Sequence, residues 1–263
     1  MIEDYSTLLG LLVAGFGSGV SVGMGSGTAS PIIIPILTLL ISSSIHQAIG
    51  TSLFVDFIIG CTAGVLFLFH SRVNFKTVLY LGIPGLIGAI VGSRFTSSAS
   101  ETGLNLFLGI IVIFIGINFL VNGIQKNLDL IQNKISFEWF RENSKIFFPV
   151  SGIILGGISG FLGIGVSGII ALILIFVVQY DIHTAIGTSL LIMSFIAGAG
   201  AIGHIASREI IWTAAIFAAT GASIGALSGS TFANKINSDL LGRILGGIIL
   251  LLGILITVRT ILF

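Results

Sequence analysis

Charge is what this chain has least of. Only 8% of its 263 residues are Asp, Glu, Lys or Arg and 55% are hydrophobic, whereas an ordinary soluble domain is about one-quarter charged. That balance excludes a water-soluble domain and marks an integral membrane protein. The formal net charge of +1 leaves no basic face to neutralise phosphates, so a nucleic-acid partner is excluded as well. A single cysteine, Cys61, lies inside an apolar run and has no mate for an internal disulfide. Positive charge is missing from the start of the chain, where Glu3 and Asp4 precede the first apolar stretch, and a cleaved secretory signal is therefore not expected. Also missing are the alternating segments of about 10 residues that build membrane β-barrels; apolar stretches of about 20 residues stand instead, and in lipid these become helices because no water is there to satisfy the backbone. What the chain has in quantity is glycine, 36 residues, a composition for closely packed and interrupted helices.

The chain is also duplicated. Ile45-His46-Gln47-Ala48-Ile49-Gly50-Thr51-Ser52-Leu53 returns 137 positions later as Ile182-His183-Thr184-Ala185-Ile186-Gly187-Thr188-Ser189-Leu190, with one residue changed. Long apolar runs at 47–69, 74–93 and 103–123 have counterparts at 184–205, 210–232 and 239–260, each long enough to cross a bilayer. Residues 125–145, with Lys126, Asp129, Lys134, Glu138, Arg141, Glu142 and Lys145, form a polar linker. The expected units are an N-terminal transmembrane repeat at 1–124, the linker, and a C-terminal repeat at 146–263. Each repeat opens with two shorter apolar pieces, 7–22 and 31–43, then 147–158 and 169–179, separated by the glycine-rich turns Gly23 to Pro31 and Gly160 to Gly168. These read as broken or re-entrant half-helices that meet near the membrane midplane, followed in each repeat by three crossings. The fold class is thus all-α, polytopic, with two homologous helical repeats.

If each opening pair enters and leaves by one face, the repeats are inverted and Lys and Arg divide eight to three in favour of the linker side. If each pair makes one broken crossing, the repeats are parallel and the division is again eight to three. Either way the positive-inside rule puts the linker in the cytoplasm, in a multi-pass protein of the cell membrane, and the inverted reading puts both termini outside it. Inversion is the preferred reading, because short interrupted segments at corresponding positions point to transporters of inverted repeats.

A helix that starts after a glycine-rich break presents unpaired N–H groups and the positive end of its dipole, which together suit an anion. Two such starts, at 29–32 and 166–169, are candidates to face each other, with Gly25, Ser26, Gly27, Thr28, Ser30, Gly163, Gly165 and Ser167 as binding residues. The repeated Thr51-Ser52 and Thr188-Ser189 offer further hydroxyls, either to a solute or back to a carbonyl one turn earlier. Asp56 is an acid deep in an apolar run, where ionisation costs at least ~2.5 kcal/mol; it either couples transport to protons or packs as a neutral hydrogen-bonded residue, with Arg94 or His204 as its candidate mate. Neither His46 nor His183 has partners at metal spacing, so no metal or cofactor is expected. Gly165-Val166-Ser167-Gly168 has the G-x-S-G form of intramembrane serine proteases, with His204 on a later helix, but a duplicated turn explains it without a hydrolase.

Gly23-Met24-Gly25-Ser26-Gly27 leading to Pro31 and Pro35, the two H-x-A-I-G-T-S-L segments, and Gly160 to Gly168 together resemble the TauE/SafE family of sulfite exporter-like permeases, over nearly the whole chain. The second turn departs from the pattern in having no proline to match Pro31. The resemblance implies passage of small anions such as sulfite, sulfonates and other sulfur compounds, commonly outward. The expectation from sequence is therefore a secondary transporter of a small anion, proton-coupled through Asp56 and not an enzyme. The alternatives are a sodium- or other cation-coupled carrier and an intramembrane serine hydrolase using Ser167 and His204.

Overall fold

The computed structural model describes residues 5–24, 27–96, 98–122, 140, 142–232 and 238–262. Gly25, Ser26 and nearly all of the 125–145 linker lie outside them. Among the described residues the regular structure is wholly helical: α1 (Tyr5–Gly23), α2 (Ser30–Leu40), α3 (Ile45–Phe69), α4 (Phe75–Thr96), α5 (Glu101–Asn122), α6 (Ser144–Leu162), α7 (Ser167–Phe176), α8 (Ile182–Ala206), α9 (Trp212–Phe232) and α10 (Ser238–Leu262). Six of them, α1, α3, α4, α5, α6 and α8, are long and apolar enough to cross a bilayer. Large apolar side chains such as Phe95, Phe107, Phe114 and Ile216 stand exposed on the outside, as a lipid-facing surface requires.

The opening pairs are less symmetrical than their apolar runs suggest. α1 and α6 are each 19 residues long and of crossing length, while α2 and α7 have only 11 and 10 residues. Glycine fails to break α1 and α6 because neighbouring helices lie against it. Gly15, Gly19 and Gly23 of α1 approach the backbone of Ala218, Ala222 and Ala226 of α9 so closely that a Cβ would strike a carbonyl oxygen. One repeat later in the chain, Gly152, Gly156 and Gly160 of α6 meet Leu81, Gly85 and Ala89 of α4 in the same manner. This is the small-xxx-small spacing by which membrane helices gain close van der Waals contact. Both pairs run parallel, since the contact positions rise together along the two chains.

The matched helices of the two halves pair differently. Gly60 of α3 lies on Leu190 and Ser194 of α8, while Gly200 of α8 lies on Leu53 of α3, so the two run antiparallel. α5 and α10 do the same, with Gly109 on Thr257 and Gly116 on Leu250. α3 and α8 form the centre of the molecule, with Leu53, Ile59, Met193 and Ala197 fully buried. Two ends follow from this. End A holds the start of α3, the end of α8 and the start of α9; end B holds the end of α3 and the starts of α4 and α8. α1 runs alongside α9 from end A, and α2 leads back to the start of α3 at that same end. α6 runs alongside α4 from end B, and α7 leads back to α8 there.

Candidate functional site

The two interruptions meet at Asp56, 11 residues into α3 and fully buried. Its Oδ1 accepts the N–H of Ala29 at 2.9 Å, and its Oδ2 accepts from the hydroxyls of Thr28 at 2.7 Å and Ser30 at 2.9 Å. All three belong to the α1–α2 break and the first residue of α2, so the carboxyl group lies on the positive end of that short helix. The second break closes the cluster from the other half of the chain. The Gly165 N–H donates to Thr28 Oγ1 at 2.9 Å and bears on the carboxyl as well. Ser30 Oγ donates to the Gly163 carbonyl, Ser167 Oγ donates to the Gly27 carbonyl, and Ser52 Oγ donates to Ser30 Oγ at 3.0 Å. Backbone geometry explains the glycines here: Gly27 and Gly163 have φ of +121° and +69°, values in the left-handed region that side chains oppose. Gly163 caps α6 in that conformation, its N–H bonding the Ser159 carbonyl at 2.8 Å.

Of the sequence candidates, Gly27, Thr28, Ser30, Ser52, Asp56, Gly163, Gly165 and Ser167 are therefore gathered in one place. Gly25 and Ser26 fall outside the described residues. Thr51 and Thr188 go elsewhere, each to a joint between helices. Thr51 Oγ1 accepts the N–H of Ile211 at end A and Thr188 Oγ1 accepts that of Asn74 at end B, both at 3.0 Å. Gly50 and Gly187 let the same joints pass, a Cβ on either being blocked by His204 or by Phe67. Ser189 turns back to the Ile186 carbonyl, 2.8 Å away, whereas its counterpart Ser52 reaches the cluster. Removing either threonine hydroxyl leaves a backbone N–H without its acceptor, so Thr51→Val and Thr188→Val should each cost about 1–3 kcal/mol of stability. Thermal unfolding in detergent checks this, and a loss confined to one of the pair contradicts the matched roles.

Neither expected mate reaches Asp56. Arg94 is exposed, and His204 lies between Glu209 and the Gly160 carbonyl. The Ser167–His204 pair of the hydrolase reading is likewise not brought together, since Ser167 turns to Gly27. His46 is bonded to the Ala99 carbonyl at 3.2 Å, while the helix caps are Ser44 for α3 and Asp181 for α8. Asp181 also faces Arg72 across end B at 3.3 Å, and the hydrogen bond from Thr184, with Arg72 beyond it, holds its carboxyl below the ordinary range. Among the described residues no group of three or more His, Cys, Asp or Glu could hold a metal ion. Sequence reasoning missed Glu209 as the partner of His204. A signal existed in the five-residue spacing across a helix end, but the spacing alone gave no direction to either side chain.

Comparison with known proteins agrees with this architecture. The family model described as Sulfite exporter TauE/SafE matches residues 7–256. A probable membrane transporter protein, YdhB, of Bacillus subtilis is 27% identical over 233 residues, covering 86% of this chain and 87% of that protein. A probable membrane transporter protein of Xylella fastidiosa is 23% identical over 250 residues, covering 94% and 92% respectively. No solved structure matches. A helical, multi-pass chain that carries the family's pattern almost from end to end belongs to the TauE/SafE family of membrane transporters.

Proposed function

We propose that this protein is a secondary transporter of a small oxyanion, such as sulfite or a sulfonate, coupled to protons through Asp56. The observation that carries the reading is the proton count around Ser30. Its single hydroxyl proton has three acceptors within reach, Asp56 Oδ2, the Gly163 carbonyl and Thr28 Oγ1, while Ser52 and Thr28 direct their own protons inward. If Ser30 donates to Gly163, its contact with an ionised Asp56 sets oxygen against oxygen. A protonated Asp56 supplies the missing hydrogen. The closed cluster therefore has a place for one bound proton, at the meeting point of the two breaks.

The same cluster explains how a proton and an anion can be linked. The donors best suited to an anion, Ala29 N–H, Thr28 and Ser30, are occupied by the protein's own carboxyl group. An ionised Asp56 competes with any incoming anion for them and repels it; a neutral Asp56 does not. Half-helix ends supply the positive field without a fixed arginine. Antiparallel pairing of matched helices supports repeats that are inverted across the bilayer, with each opening pair entering and leaving by one end. End B then carries Arg72, Lys76, Lys145 and Arg243, and end A carries Arg94, Arg208 and Arg259, so end B with its linker faces the cytoplasm by the positive-inside rule. Rocking of one half against the other would expose the cluster to the two sides in turn.

A cation-coupled carrier is the second reading. It is favoured by the oxygens gathered there, namely the Asp56 carboxyl, two hydroxyls and the Gly163 carbonyl; the N–H groups of Ala29 and Gly165 argue against it. One experiment separates the readings: flux of sulfite, sulfate, thiosulfate and sulfoacetate into proteoliposomes, with an imposed pH difference or an imposed sodium gradient. We expect at least one oxyanion to move faster with the pH difference. Movement driven by sodium alone would transfer Asp56 to the cation reading, and no oxyanion flux under any condition would end the oxyanion reading.

A further inference from the structure

End A differs from end B by a buried ionisable pair. His204, in the last turn of α8, is fully buried, and its Nδ1 lies 2.7 Å from Glu209 Oε2 while its Nε2 lies 3.3 Å from the Gly160 carbonyl oxygen. With Glu209 ionised, both neighbours are acceptors only. A neutral imidazole has one N–H and one bare lone pair, so it can satisfy one of them and must oppose the other. One further proton removes the conflict. We infer that His204 and Glu209 form a second proton site, separate from Asp56, and that the proton they share pins the end of α6 to the end-A joint.

The placement gives that proton leverage. Gly160 stands three residues before Gly163, whose carbonyl accepts from Ser30 in the central cluster. The last turn of α6 is therefore held on one side by the buried site and on the other by His204, with Thr96 of α4 donating to the Phe161 carbonyl at 2.8 Å. No other charged side chain competes for the pair among the described residues of the surrounding elements. On α3, His46 is turned to Ala99 and Asp56 is engaged in the cluster; Arg94 of α4 and Arg208 of the joint are exposed. α7 and α9 carry no titratable residue, and Lys145 of α6 stands at its opposite end.

The site is also one-sided. The positions that correspond to His204 and Glu209 in the first half are Phe67 and Arg72, and Phe67 rests on Gly187 just as His204 rests on Gly50. An aromatic ring of either kind fills the place, but only the imidazole can bind a proton there. Glu209 keeps 15% of its side chain exposed, so the ion-pair form, imidazolium beside carboxylate, is the one expected.

The test is nitrogen NMR of the full chain labelled at histidine, in nanodiscs at neutral pH, with His204 identified by its absence from His204→Phe. We expect both ring nitrogens of His204 to carry protons in the wild type, one of them to be bare in Glu209→Gln, and Glu209→Asp to restore the first signature. Amide exchange over 160–166 should be roughly tenfold faster in Glu209→Gln and in His204→Phe, with the rest of α4 and α8 unchanged. A bare ring nitrogen at His204 in the wild type, or the same spectrum in Glu209→Gln, overturns the proton site. Unchanged exchange over 160–166 overturns the pin. Should Glu209→Gln fail to fold, His204→Phe carries the exchange measurement, because the first half of the chain already accommodates Phe at that place.

Discussion

Asparagine at position 56 should leave a folded protein whose oxyanion flux no longer responds to an imposed pH difference. Asn has the shape of a protonated Asp and cannot gain or lose the proton. Its carbonyl oxygen can keep the N–H bond from Ala29, while its amide donates where Oδ2 now stands, to the hydroxyls of Thr28 and Ser30, which turn their protons to other acceptors. The fold therefore loses little. Asp56→Ala differs, because it strands those donors in a buried site at a cost of about 1–3 kcal/mol for each one unsatisfied. Flux in proteoliposomes with and without the pH difference checks the first expectation, and thermal unfolding checks the contrast with alanine. A pH-driven flux of wild-type size in Asp56→Asn would remove Asp56 from the coupling mechanism.

The other large effect concerns the fold. Gly19→Leu and Gly156→Leu should each cost more than ~3 kcal/mol and abolish monodisperse protein in detergent, because the added side chain meets the backbone of Ala222 or Gly85, which has no rotamer to yield. Nearby Gly17 is a control within the same helix. A Cβ there meets nothing within 4 Å, and Gly17→Ala should be neutral or stabilising by up to about 1 kcal/mol through helix propensity. Size-exclusion profiles and unfolding midpoints decide both. Tolerance of leucine at both 19 and 156 equal to that of alanine at 17 would show that the parallel pairs α1–α9 and α4–α6 do not hold the molecule together.

The two expectations rest on different kinds of residue, and they were not equally legible beforehand. Glycine at four-residue spacing on α1 and α6 can be read directly from the chain, and so can its duplication. What it does there cannot. The same residue that marks an interruption at Gly27 and Gly163 marks an unbroken, tightly packed face at Gly15 and Gly156, and only the presence of a neighbouring helix distinguishes the two. This is why the opening pieces look too short for a crossing in sequence, while α1 and α6 reach crossing length.

The Gly-Thr-Ser triplets teach a similar lesson. Their repetition is plain at sequence level, but repetition pointed equally to a solute and to a shared structural task. In the folded chain the threonines hold the joints at Ile211 and Asn74, and only Ser52 of the two serines reaches the cluster. Asp56 stood out as a lone acid in an apolar run, yet its partners lie 26 to 28 positions earlier and across the repeat boundary, where no local period could place them.

By itself the sequence determined the membrane environment, the all-helical class, the duplication and the family, because hydrophobic length, scarcity of charge and internal repetition are properties of the chain that need no partner. Tertiary structure alone decided that matched helices run antiparallel, that both interruptions converge on Asp56, and that His204 faces Glu209 rather than Asp56 or Ser167. The physical reason is that a helix carries its own backbone bonds within a few residues, whereas a buried carboxyl or imidazole takes its partners from whichever helices packing brings beside it.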